Sequence, residues 1–289
     1  MTRLTILADN TTQRADLRTE HGFACWIEMG GHKLLFDTGA GQVLHANAAA
    51  LGIDLAQTEA IALSHGHYDH TGGLPEAWKT PDATPLYLHD GALAARYRVN
   101  VTGAKEIGMP RVVRELIGQH MPALRYTNAP TEILPGVWLT GYVPRRHPEE
   151  TAEPEPFFLA PSGQQPDPLV DDQALYLVTG GGLVVLLGCA HAGVINTLDH
   201  IRDLTDNAPL RAVIGGMHLR VASPSRLAWT IVRLQEHRPM LVAPAHCTGE
   251  AAMKALAEAF ADRYRPCGTG AIFEFINNQP TKTKEKPIC

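Results

Sequence analysis

Short apolar runs of strand length open the chain: Leu4 to Ala8, Phe23 to Met29 and Lys33 to Phe36, the last two joined at Gly30-Gly31, a two-residue hairpin signal. The Ala-rich stretch from Gly41 to Leu51 has helical composition, with Gly52 where a helix would end. Ala60 to Leu63 is a further apolar strand and runs straight into Ser64-His65-Gly66-His67. Pro85 to Leu88 reads as another strand, followed by a predicted helix from about Gly91. The segment 144–171 differs in kind, with seven of the chain's 21 prolines and few apolar residues. A loop of that length is commonly a lid or a linker, and its position favours a lid. The pattern then restarts with Ala174 to Thr179, the turn Gly180 to Gly182, and Leu183 to Leu187. Helical periodicity follows from Val194 to Leu204, then a strand Ala212 to Ile214, a helix Ser225 to Glu236, a strand Leu241 to Ala243, a helix Glu250 to Phe260 and a strand Ala271 to Ile276. Two sets of strands, each followed by helices, predict a single α/β domain over residues 1–276, with two sheets face to face and helices outside. Residues 277–289 form a polar tail expected to be disordered.

Composition sharpens the picture in three places. At 45% hydrophobic and 19% charged residues, the 289-residue chain is that of a folded protein rather than a disordered one. Lys and Arg number 25 against 30 Asp and Glu, a formal charge of −5 that gives no support to a nucleic-acid partner. The five cysteines are odd in number and form no CxxC pair, so a disulfide framework is not expected and a reducing compartment is. No signal peptide or membrane-length apolar run is read, which makes the expectation a soluble, cytoplasmic protein without a membrane partner. Fourteen histidines are many for this length, and several cluster.

The densest cluster is SHGHYDHTGG, Ser64 to Gly73, which sets His65, His67, Asp69 and His70 within six residues. Residues two apart past a strand end project to one side, so His65 and His67 can grip one ion while a turn at Tyr68 swings Asp69 and His70 to a neighbouring position. Imidazole and carboxylate suit Zn, Fe or Mn better than Ca or Mg. Further ligands are offered at three later strand ends: Cys189 and His191 in GCAH, His218 in GGMH, and His246 in PAH. Cys189 reads either as a small buried residue or as part of the site, and His218 either as a structural residue or as a donor. His21, His32, His45, His89, His120, His147, His200 and His237 stand apart and read as surface or helix residues.

These motifs carry a resemblance. SHGHYDHTGG resembles the HxHxDH signature of the metallo-β-lactamase superfamily, and LLFDTG, with Asp37, is similar to the strand that ends beside its metals. GCAHAGVINT, GGMHL, PAHCTG and TGYVPR resemble its 7,8-dihydropterin-6-methyl-4-(ribofuranosyl)aminobenzene 5'-phosphate synthase-like branch. The resemblance implies an αββα sandwich with one or two divalent metals, zinc first and Fe or Mn next. It makes His65 and His67 ligands of one metal, Asp69 and His70 of a second, and His246 the final histidine. The usual third-motif histidine is missing from TGYVPRR, and Cys189 stands where an aspartate is usual, so His191 is the expected remaining ligand. The implied activity is hydrolysis of an ester, phosphoester or cyclic amide by a metal-bound hydroxide, with the pKa of water lowered toward ~7. Asp69 would orient the hydroxide, His218 would donate to developing charge, and Arg145 with Arg146 would clamp a small anionic or phosphorylated substrate. The alternative is transfer of a dihydropterin-methyl group. A metal-dependent sensor is a third reading, against which the intact HxHxDH argues.

Overall fold

The computed structural model describes residues 1–151 and 156–276. In chain order the first half contains β1 (Thr2–Ala8), β2 (Ala24–Met29), β3 (His32–Phe36), α1 (Leu44–Ala50), β4 (Ala60–Ala62), α2 (Tyr68–Thr71), α3 (Leu74–Ala77) and β5 (Leu86–Leu88). Next come the hairpin β6 (Tyr97–Asn100) and β7 (Gly103–Glu106), α4 (Arg111–Gln119), β8 (Leu124–Tyr126), β9 (Thr131–Leu134), β10 (Val137–Leu139), α5 (Pro148–Thr151) and β11 (Phe157–Phe158). The remainder is β12 (Leu175–Thr179), β13 (Gly182–Leu187), α6 (Val194–Leu204), β14 (Leu210–Gly216), α7 (Pro224–Glu236), β15 (Leu241–Ala245), α8 (Glu250–Phe260) and β16 (Ile272–Phe275).

The strands assemble into a seven-stranded sheet in the order β16-β1-β2-β3-β4-β5-β8 and a six-stranded sheet in the order β15-β14-β13-β12-β10-β9. Alternate residues of each central strand face opposite cores, which is why the strands read as continuous apolar runs. Leu4, Ile6, Ile27 and Phe36 of the first sheet pack against Val184, Leu186, Ile214 and Ala243 of the second. On its outer face the first sheet buries Leu7, Trp26, Leu35 and Ile61 with Leu44 of α1, Leu74 of α3, and Val113 and Ile117 of α4. The second sheet buries Val185, Leu187 and Val213 with Leu198 and Ile201 of α6, Leu234 of α7, and Leu256 and Phe260 of α8. Helix, sheet, sheet and helix form the four layers the sequence predicts.

Two expectations change. The predicted helix from about Gly91 is a single 3-10 turn, Asp90–Leu93, followed by the β6–β7 hairpin. Its alanines favour a helix, but Arg96 is drawn into a buried ion pair with Asp167 and Asp171, and that tertiary contact ends the turn. The hairpin and β11 make a third, three-stranded sheet, β11-β6-β7, that the sequence reading did not contain. The described part of segment 144–171 is wall rather than free loop. It holds α5 and β11, and the buried carboxylate of Glu150 accepts from the amides of Ile195 and Asn196, capping the first turn of α6. Residues 277–289, read as a disordered tail, lie outside the described residues.

Candidate metal centre

The ligand-bearing loops follow the carboxyl ends of strands that run the same way. β3, β4 and β5 are mutually parallel, as are β13, β14 and β15, and their ends bring residues separated by more than 180 positions to one rim. Backbone conformation there is unusual. Asp37, Ala190, His218 and His246, at or just past the ends of β3, β13, β14 and β15, all have φ between 49° and 57°. A non-glycine residue in the left-handed region costs about 1–3 kcal/mol, a strain that clusters at functional sites. Gly188 is required for contact: a Cβ there would sit 2.1 Å from Ser64 Oγ and 3.1 Å from Asp37 Oδ2.

Asp37 is fully buried and organises the HxHxDH loop. Its Oδ1 accepts from the Ser64 amide at 2.7 Å, and its Oδ2 accepts from Ser64 Oγ at 2.7 Å and lies 2.7 Å from His70 Nδ1. That contact leaves His70 Nε2 aimed inward, the usual way a carboxylate orients a ligating imidazole. Ser64 Oγ meets His65 Nδ1 at 2.9 Å in the same fashion, and Asn10 Oδ1 meets His246 Nδ1 at 2.9 Å.

The inward atoms of the predicted ligands fall into two groups, beside a third cluster of Cys189, His218 and Cys247. His65 Nε2 lies 3.0 Å from His67 Nδ1 and 3.3 Å from His191 Nε2. His70 Nε2 lies 3.2 Å from His246 Nε2 and 3.3 Å from Cys189 Sγ, with Asp69 Oδ2 3.4 Å from His246 Nε2. Cys189 belongs to both, since its sulfur falls within 4.8 Å of the ligand atoms of His65 and His191 on one side and of His70 and His246 on the other. Nitrogen ligands about 2.0–2.1 Å from a tetrahedral ion stand about 3.3–3.4 Å apart, so the His65–His67, His65–His191 and His70–His246 separations each suit two ligands of one divalent ion. On the far side of the rings, His67 Nε2 and His191 Nδ1 are buried with no hydrogen-bond partner among the described residues.

Burial leaves three of the imidazoles in the form that binds a cation. Burial, followed by the neighbouring histidines, drives His65 and His191 well below the ordinary imidazole range, and burial brings His67 down to about 3. Neutral imidazole is the metal-binding form. His70 is the exception: burial would lower it, but Asp37 first and then Asp69 raise it to about 9. Burial alone would raise Asp69, yet its hydrogen bond to His246 and the adjacent His70 hold its carboxyl well below the usual range. Burial and the neighbouring Cys247 sulfur push the Cys189 thiol up.

The predicted ligands His65, His67, Asp69, His70, His191 and His246 thus converge, and the sulfur of Cys189 lies among them. His218 faces His191, with ring centroids 4.3 Å apart, and lines the mouth of a cavity of about 140 Å³ over the cluster. Arg145 does not line this cavity. Its guanidinium donates to the main-chain carbonyls of His191 at 3.0 Å and Pro168 at 2.7 Å, and Arg146 pairs with Asp203 on the outside. The cations that do line it are Arg98, Lys105 and Arg220. His21, read as standing apart, places Nε2 3.2 Å from Asp69 Oδ2 and its ring 5.0 Å from that of His246. It sits alone in the β1–β2 connection, so no spacing signalled it.

The profile of the metallo-beta-lactamase superfamily matches residues 18–202, and the chain belongs to that superfamily. A solved metal-dependent hydrolase of the beta-lactamase superfamily superposes with a TM-score of 0.81 at 29% identity, covering 95% of this chain and 99% of that one. Two proteins of Methanocaldococcus jannaschii match along most of their length. One, uncharacterised, is 28% identical over 88% of this chain and 93% of its own. The other, a 7,8-dihydropterin-6-methyl-4-(beta-D-ribofuranosyl)-aminobenzene-5'-phosphate synthase, is 25% identical over 94% and 95%.

Proposed function

We propose that the protein is a metal-dependent hydrolase of an ester, phosphoester or cyclic amide bond in a small anionic substrate, working in a reducing compartment. The observation that carries this reading is the pair of ligand groups joined at Cys189: His65, His67 and His191 on one side, Asp69, His70 and His246 on the other. Divalent metals held there supply Lewis-acid polarisation of the scissile group and a water acidified toward ~7. The thiolate and imidazoles favour zinc or iron(II) over manganese.

The chain's own residues do the rest. Asp69 stays ionised and accepts a hydrogen bond from the nucleophilic water, while His21 Nε2, at 3.2 Å, steadies the same Oδ2 that faces His246. His218, at the cavity mouth, donates to charge developing on the substrate. Asp37 and Ser64 fix the orientation of His70 and His65, and Arg145 holds the His191 carbonyl in place. Four buried free cysteines, Cys25, Cys189, Cys247 and Cys267, accord with a reducing compartment. Among the described residues no helix is long and apolar enough to cross a membrane.

Reconstitution with zinc, iron or manganese followed by elemental analysis tests the reading, with one to two ions per chain expected. A folded protein holding less than about 0.2 ion per chain overturns it. Cobalt-substituted protein should show a thiolate-to-metal charge-transfer band that Cys189→Ser abolishes and His191→Ala retains. The similarity to a synthase favours a second reading, group transfer, and heavy-oxygen water separates the two. Hydrolysis places solvent oxygen in the product, whereas transfer leaves it out.

A further inference from the structure

We infer that the hairpin inserted between β5 and α4 carries a phosphate-binding subsite, in which Arg98 and Lys105, together with Arg220 of the same cavity, hold the phosphate group of the substrate beside the histidine cluster. The inference rests on the hydrolase reading only for what the bound molecule does next.

The register of the third sheet makes the case. Arg98 of β6 is the cross-strand partner of Lys105 of β7 and also of Phe157 of β11. Directly opposed residues of antiparallel strands share a face, so Phe157, Arg98 and Lys105 stand in one row, and all three line the cavity beside His67, His191 and His218. Two like charges directly opposed on a hairpin destabilise it. Here no carboxylate of the described residues comes within the 4.0 Å ion-pair limit of either cation, and the hairpin's own Glu106 is engaged instead by Arg114 at 2.9 Å. Lys105 Nζ rests 5.6 Å from the ring centroid of Tyr68, which keeps it beside the metal loop. The hairpin is tied to that loop through the Tyr68 amide, which donates to the Ile107 carbonyl at 3.0 Å.

The ligand's chemistry follows from the donors. A carboxylate is neutralised by one guanidinium, whereas two guanidinium forks and an ammonium match a dianionic phosphate with three peripheral oxygens. A cavity of about 140 Å³ is smaller than the roughly 300–1,000 Å³ of a whole-ligand pocket, so it takes the phosphate-bearing, reacting end while the rest of the molecule extends outside.

Calorimetric titration of metal-loaded protein with inorganic phosphate, phenyl phosphate and benzoate tests this without turnover. Both phosphates should bind with salt-sensitive affinity and benzoate far more weakly. Arg98→Ala, Lys105→Ala and Arg220→Ala should each weaken phosphate binding about tenfold or more, and Lys105→Arg should restore it. Metal content, measured on the same samples, should stay at the wild-type value. Phosphate affinities within about twofold of wild type in all three alanine variants would show that the metals alone hold the anion and would overturn the subsite. Absent phosphate binding, or benzoate binding as tightly, would overturn it as well. Failure of the hydrolase reading shows separately, as protein without metal.

Discussion

At the residue scale, the buried histidines set the acid limit of the metal-free protein. His65, His67 and His191 are neutral in the native state well below pH 6.5, whereas the unfolded chain protonates them near that value. The unfolded state therefore binds more protons, and stability present above about pH 6.5 is lost as pH falls, by at most about 1.4 kcal/mol per pH unit for each group. Asp172, which burial raises to about 6, opposes this between its unfolded and folded values, as do Asp9, Glu20 and Glu150, also raised by burial, while His21, His200 and His237, lowered by burial, add to it. His70 acts in the reverse sense on the alkaline side. Raised to about 9, it contributes stability fully present below about 6.5 and lost as pH rises through 9. Metal-free protein should be most stable near pH 6.5–7, with a steeper loss toward pH 5 than toward pH 9, as urea midpoints across that range will show. A stability rising steadily toward pH 5 would mean these imidazoles are solvated and the packing described for them is wrong.

At the scale of elements, the wall of the site hangs on one side chain. Arg96, 1% exposed, donates through Nε to Asp167 at 2.7 Å and through Nη1 to Asp171 at 2.9 Å, and Asp171 also accepts from the Gly66 amide between His65 and His67 at 2.7 Å. The third sheet, the segment before β12 and the metal loop are thereby joined. Removing one partner of a buried ion pair strands the other charge, which costs about 3–5 kcal/mol. Arg96→Met should lower unfolding free energy by that amount and weaken metal retention together. A loss below about 1 kcal/mol would place the pair in solvent-screened surroundings. The contrast with Arg145 is informative: both are arginines near the site, but one holds carboxylates and the other main-chain carbonyls.

For the whole molecule, metal bound at the candidate centre would also act as a clasp. The first sheet contributes His65, His67, Asp69 and His70 and the second contributes Cys189, His191 and His246, so bound metal links the two halves across the rim. A ligand bound only by the native state adds about 4 kcal/mol at a thousandfold excess over its Kd. Chelation should therefore lower Tm in thermal unfolding by an amount that grows with the free-metal concentration beforehand. A Tm indifferent to chelator, in protein that had carried metal, would mean that these loops hold together without it.

Much of this was legible in the sequence. Strands packed on both faces read as unbroken apolar runs, and β1–β4 and β12–β15 are close to where those runs place them. The HxHxDH cluster was legible because its four candidate ligands share one strand end, and a local cluster needs no fold to be seen. Arg98, Lys105, Arg220 and His21 were not, because nothing in their own neighbourhoods marks them. They meet the site only after the third sheet forms and after β1 and β15 come together through Asp9, which accepts from the His246 amide at 2.8 Å across 237 positions. The helix expected at Gly91 failed for the same reason, since the propensity of alanines is worth less than one buried guanidinium in an ion pair. Local pattern thus determined which segments are strands and where the first ligands lie. Long-range packing decided which charges face the cavity, because their burial and pairing depend on partners far away in the chain.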